Sequence, residues 1–406
     1  MFSMHNLTPR RSFLGRAVLG GLSFIGLALG GSPAAFGQEK VRFETVDGVT
    51  LRGNLYTSDA GSKAPTIIML HPLTNGKDKK PGDQTMDGWQ QLAADLHKAK
   101  YTVLTFDFRG HGESTAVSQQ MFQKADFPHN TQGVRTRRDM TSLAAKDMQP
   151  AYLPHLVDDI SAARVFLDGR NDRDRLNSSN LIVLGAGDGA TIGALWMASE
   201  WKRRRADVSA VGSPLLVNRP PVPTNFGEPE GRDLLAGIFI SMSPTLGGRN
   251  MPINNWLRDI TAKRSTRTQL LFVYGGKDPK VDQANLAWLK AIRPGYERTK
   301  EGKVKVTKTN NSSGLDKTED SKIDSKEQSV GLLPGGEVAG FLIKTYLPGL
   351  LEGVVLREPE PKENKTRYYY WVPEVNGQLN RQGAYPAKYK DEEALRALPI
   401  RMFGLQ

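Results

Sequence analysis

Short apolar runs separated by longer stretches of helical periodicity set the strongest limit on what this chain can fold into. Residues 66–70, 101–107, 181–184, 238–242 and 270–274 are such runs, each the length of a strand buried on both faces. Between them, 89–99 and 153–167 repeat apolar residues at helical spacing. Ahead of the first run, 41–46 and 49–56 alternate with a period of two around Asp47-Gly48, a hairpin signal. Strand and helix in repetition build a mostly parallel sheet with helices on its faces, so the predicted fold class is α/β. The 406 residues, 38% hydrophobic with six Trp, suffice for one large core. One main domain over 38–356 is expected, with an extension over 357–406 packing on it.

The first 37 residues read as an address. Thr8-Pro9-Arg10-Arg11-Ser12-Phe13-Leu14 resembles a twin-arginine export signal, and the glycine-rich apolar stretch 17–30 is too short and too weakly apolar to favour a spanning helix. Small residues at 35–37 offer a cleavage point, so the mature chain is expected to begin near Gln38, in the periplasm or outside the cell, with no stable membrane span. An uncleaved N-terminal anchor is the alternative. The absence of Cys excludes disulfides, thiolate nucleophiles and thiolate metal sites. A formal charge of +12 is spread thinly and reads first as a soluble basic surface; the expected partner is an unidentified small molecule or, on the charge alone, an acidic envelope polymer, and no nucleic acid is expected. The one dense basic run, 202–205, is read as the solvated end of a helix.

Three further places carry a resemblance. Asp107-Phe108-Arg109-Gly110-His111-Gly112-Glu113-Ser114 is very close to a D-x-R-G-x-G-x-S turn, with glycines for a sharp reversal and Asp and Arg to brace loops. Ile67-Ile68-Met69-Leu70-His71-Pro72-Leu73 is like a strand and loop that help form an oxyanion hole, and Gly185-Ala186-Gly187-Asp188-Gly189 follows a strand as a nucleophile elbow does. Together they resemble the α/β-hydrolase superfamily, in the manner of dienelactone hydrolases and serine aminopeptidases, over residues 40–350. The resemblance implies a central sheet with cap-like insertions such as 116–155, oxyanion-hole amides near Leu73 and Asp188, and the triad acid at Asp278. Asp107, Arg109, Gly110, Gly112 and Ser114 would be fold signatures.

The same resemblance exposes what is missing. The nucleophile position holds Gly187, Pro72 stands where a glycine N–H is usual, and none of His5, His71, His97, His111, His129 and His155 follows the strand ending at Tyr274, where the base should come. Residues 304–334 read as a polar, mobile loop, and Glu337 as a charge at a helix start. A one-residue shift puts Asp188 in the nucleophile position, as in haloalkane dehalogenases and epoxide hydrolases, but those enzymes also need a late His. Neither an H-E-x-x-H nor a phosphate-loop motif is present, and no cofactor or metal is expected. Two readings stand: a degenerate α/β-hydrolase that binds or scaffolds, and a hydrolase of ester, epoxide or halide substrates with Asp188 as nucleophile. The proline-rich stretch 218–229 reads as a surface loop. The aromatic run 366–372 reads as a strand docking on the body.

Overall fold

A computed structural model describes residues 38–73, 82, 88–125, 127–135, 140–208, 223–261, 268–275, 279–292, 297–298, 304–305, 319–323, 337–362, 367–371, 374–375, 378–379 and 385–386. The main sheet is built from β1 (Gln38–Glu44), β2 (Thr50–Tyr56), β3 (Pro65–Leu70), β4 (Thr102–Phe106) and β5 (Asn177–Ala186), and continues, past β6 (Arg203–Val208) and β7 (Pro223–Pro229), with β8 (Leu234–Ile240), β9 (Gln269–Gly275) and β10 (Glu319–Ile323). Eight of these lie side by side in the order β1-β2-β4-β3-β5-β8-β9-β10. Only β2 runs against the rest of that sheet, pairing antiparallel with β1 and β4.

Alternation decides the layers. Ile68, Leu70, Leu104, Leu181 and Val183 point into one core with Ile160, Leu167, Trp196 and Trp256. Their neighbours Ile67, Met69, Val103, Ile182 and Leu184 point into the other, with Trp89, Leu92, Leu96 and Leu342. A strand covered on both faces has no polar side to show, which is why the runs read as unbroken apolar stretches. Helix Trp89–Lys98 covers one face, and helices Val157–Asn171 and Gly187–Lys202 the other.

The structure departs from the sequence expectation in four places, the first being that 223–229 of the proline-rich stretch 218–229, expected as a surface loop, form strand β7 and pair with β6. Strand β5 starts at Asn177, four residues ahead of the apolar run, and Asn177, Ser178, Ser179 and Asn180 are all buried. Their polar atoms are satisfied by chain from near the C-terminus: the Asn177 and Asn180 amides donate to the Arg357 carbonyl at 2.8 and 2.7 Å, and Glu360 N–H donates to Ser179 Oγ at 3.2 Å. The basic run 202–205 is not a solvated helix end, because the helix stops at Lys202 and Arg203 opens β6. Arg203 is buried, with a two-pronged bond to Glu200 at 2.8 and 2.7 Å. Finally, the polar stretch 304–334 is not all loop: β10 lies within it and pairs in parallel with β9 at the sheet edge. The strand Arg367–Trp371 pairs antiparallel with β6, and β7 pairs with the other side of β6. Among the described residues no helix is long and apolar enough to cross a membrane.

Candidate functional site

Strand β5 ends in register with β8, Gly185 opposite Phe239 and Ala186 opposite Ile240. The next residue, Gly187, turns with φ +54° and opens the helix Gly187–Lys202. A side chain in that left-handed region costs roughly 1–2 kcal/mol, and a Cβ placed there would stand 3.1 Å from Pro72 Cβ. Two residues on, a Cβ at Gly189 would lie 2.3 Å from the His71 carbonyl oxygen; only glycine lets the helix start press directly on the loop after β3. A buried parallel strand, a left-handed apex and a helix on small residues form a nucleophile elbow at the carboxyl end of the sheet's middle. The chain has an α/β-hydrolase fold.

Within that fold the apex is hemmed in. Pro72 stands over Gly187, with Leu73 following it partly buried against the core. From the other side, the loop after β8 delivers Ser243, whose N–H donates to the Gly187 carbonyl at 3.2 Å, while Thr191 Oγ1 donates to the Ser243 carbonyl at 2.6 Å. Asp188 lies in the first helical turn, where burial pushes its carboxyl above the usual range and the Ser243 hydroxyl pulls the other way. Ser241, one residue past the position paired with Ala186, also turns left-handed, at φ +46°, and its buried Oγ finds no hydrogen-bond partner among the described residues. Sequence reasoning missed this serine pair. Ser241 and Ser243 belong to no motif, and only the register of β8 against β5 brings them to the elbow.

The histidines are placed elsewhere or occupied. His71 Nε2 accepts the Phe108 N–H at 3.0 Å, so Nδ1 carries the proton and meets the Pro72 carbonyl at 2.8 Å. Burial, helped by His111, pushes its pKa down to about 3, which leaves a neutral ring with both nitrogens in use. His111 Nδ1 lies 3.1 Å from the Arg109 carbonyl, and His97 Nε2 lies 3.0 Å from the Thr57 carbonyl. His129 and His155 stack on each other. Asp278 lies outside the described residues, as does His5.

The D-x-R-G-x-G-x-S turn serves architecture. Asp107 accepts N–H groups of Gly82 and Glu113 at 2.5 and 2.9 Å, and Ser114 Oγ accepts the Arg52 N–H at 2.9 Å. Gly110 and Gly112 turn with φ +76° and +48°. Arg109, wholly buried, meets Asp159 at 2.7 Å, Asp47 at 2.6 Å and the Tyr152 hydroxyl at 2.6 Å. Tyr152 in turn donates to Asn130, which donates to Asp47, closing a ring of polar groups that ties the first hairpin to the insertion.

Comparison with known proteins gives structural likeness alone. The fold is similar to an esterase of Pyrococcus furiosus, with 15% identity over 77% of this chain and 90% of that one, at a TM-score of 0.45. It is also similar to a dienelactone hydrolase of Anabaena variabilis, with 14% identity over 77% and 98% of the two chains and a TM-score of 0.41. A third likeness is to fungal esterases of Rhizomucor miehei, at 11% identity, 78% and 83% coverage and a TM-score of 0.42. No family model and no curated protein matches the sequence. The fold assignment rests on this chain's own strand order and elbow, and residue roles on the geometry above.

Proposed function

We propose that this is an exported α/β-hydrolase-fold protein that works by binding or scaffolding and has lost the family's hydrolytic chemistry. What carries the reading is the elbow apex: Gly187 offers no nucleophile, and Pro72 lies 3.1 Å from where its Cβ would be. The histidine on the adjoining loop supports it, since His71 has both nitrogens committed to the backbone and no proton-accepting capacity to lend. A nucleophile without a base, or a base without a nucleophile, leaves acyl transfer unassisted. For binding, the body provides a cavity of about 440 Å³ walled by Phe43, Met121, Phe166 and Asp158 among others, within the range of small-molecule sites. An acidic envelope polymer is the other candidate partner, on the strength of the +12 charge.

The competing reading, a hydrolase using Asp188, differs in one assay. A panel of short-chain aryl esters, epoxides and haloalkanes is offered to the mature protein, to Asp188→Asn and to Gly187→Ser. No turnover above buffer is expected from any of the three, including Gly187→Ser, where the introduced Cβ meets Pro72 and no histidine follows Tyr274 in the sequence to serve as base. Turnover by the parent that vanishes in Asp188→Asn would establish the aspartate enzyme instead.

Export is proposed on the twin-arginine-like N-terminus. Protein recovered from outside the cytoplasm is expected to begin near Gln38, read by N-terminal sequencing. Accumulation of a full-length cytoplasmic form when the arginine pair is intact would remove the address from the account.

A further inference from the structure

The insertion and the helix behind it bring together two imidazoles and a carboxylate. His129 lies on the short helix Pro128–Gly133, His155 in the turn Pro150–Leu156, and Asp158 in the first turn of helix Val157–Asn171. One donor atom from each lies within 4.8 Å of the other two. The two rings are parallel, 4.0 Å between centroids and 4° between planes. His129 Nε2 is buried with no hydrogen-bond partner among the described residues, a state that is costly unless something else satisfies it. Asp158 is buried and also forms part of the wall of the 440 Å³ cavity.

We propose that His129, His155 and Asp158 form a binding site for a divalent transition metal ion of the zinc type. Two imidazole nitrogens and one carboxylate oxygen suit Zn²⁺ or Co²⁺, whereas Mg²⁺ and Ca²⁺ call for an all-oxygen set. Three protein donors leave a fourth tetrahedral position for water or a cavity ligand. Bonds of 2.0–2.2 Å to the metal require the donors to close in from the 4.8 Å limit and the two stacked rings to turn out of their parallel arrangement, so that both in-plane nitrogens aim at one ion. Behind the rings, Tyr152 packs on His155 at 5.6 Å and on His129 at 6.1 Å and is itself fixed by Arg109 and Asn130.

The sequence carries no sign of this site beyond the His155 and Asp158 spacing of three, because His129 comes from a separate element 26 positions earlier.

The test is titration of the metal-stripped full chain with Co²⁺ and Zn²⁺, followed by calorimetry and by the visible bands of tetrahedral Co²⁺. One equivalent should bind and the bands should appear. Asp158→Asn, which keeps shape and removes a charged donor, and His129→Gln should each weaken binding by more than the roughly 10–100-fold that loss of an outer-layer partner costs. His97→Gln, on the far helix Trp89–Lys98, should leave it unchanged. Unfolding of each metal-free variant is recorded alongside, so that loss of binding is read only from folded protein. No bound equivalent in the parent, or full binding retained in both Asp158→Asn and His129→Gln, overturns the site.

Discussion

Replacing Arg109 with Met is expected to lower unfolding free energy by about 3–5 kcal/mol, because it strands two buried carboxylates whose only cationic partner among the described residues is that guanidinium. Arg109 binds Asp159 through its backbone N–H at 2.8 Å and Nε at 2.7 Å, and Asp47 through Nη1 at 2.6 Å. Methionine fills the space of the stem and leaves both charges behind. The double change Arg109→Met with Asp47→Asn should recover part of the loss, since one stranded charge goes with it. Urea unfolding at neutral pH checks both, and a single-variant loss under about 1 kcal/mol would mean the network is relieved by water rather than by Arg109. The same network sets an acid limit. Burial alone would raise Asp47, but Arg109, Thr45 and Asn130 hold it down to about 2 against an ordinary 3.8. A carboxylate lowered on folding stabilises fully above its unfolded value and loses that contribution as pH falls through the folded one. Acid unfolding should therefore steepen between pH 4 and 2, and Asp47→Asn should flatten that limb.

Asp233→Ala is expected to be as damaging, again about 3–5 kcal/mol, by removing the buried anion that Arg164, Arg357 and Lys362 share. Arg164 Nη2 lies 2.5 Å, Arg357 Nη1 2.6 Å and Lys362 Nζ 2.8 Å from its carboxylate. Three cations around one buried carboxyl overcome the upward push of burial and hold Asp233 well below the usual carboxylate range. The effect has a second readout. Arg357 and Lys362 belong to the C-terminal segment, so Asp233→Ala should open that segment to limited proteolysis before the sheet unfolds. Equal protease resistance in parent and variant would mean the segment is held by its backbone bonds alone.

Much of the fold was legible because burial leaves a mark on local sequence. The runs at 67–70, 181–184 and 238–240 are apolar without break because both faces of those strands are covered, and Asp47-Gly48 announced the first hairpin through a glycine now seen at φ +80°. β10 was not legible: Glu319-Asp320-Ser321-Lys322-Ile323 sits at the sheet edge, where a strand does not need an apolar face to be held. Nor were the charge pairings, since nothing local tells that Asp47 will meet Arg109 from 62 positions away. The elbow's position could be read from the strand that precedes it. The crowding at its apex could not, because it comes from Pro72 and Ser243, on two other strands' loops, and only the order β3-β5-β8 brings them to the same turn. The imidazole pair failed for the same reason, distance along the chain.

The polar start of β5 has a bearing on how a finished chain is told from an unfinished one. Asn177, Ser179 and Asn180 are buried in the middle of the sheet, yet their partners Arg357 and Glu360 arrive about 180 residues later. Until those residues are made, the sheet's central strand carries amide and hydroxyl groups that only water can satisfy. A chain broken off before Arg357 would hold every apolar strand through β10 and still be open at its middle, a difference that proteases can act on. The last stretch of the body thus completes the polar start of the central strand, joining two parts of the chain that lie about 180 residues apart.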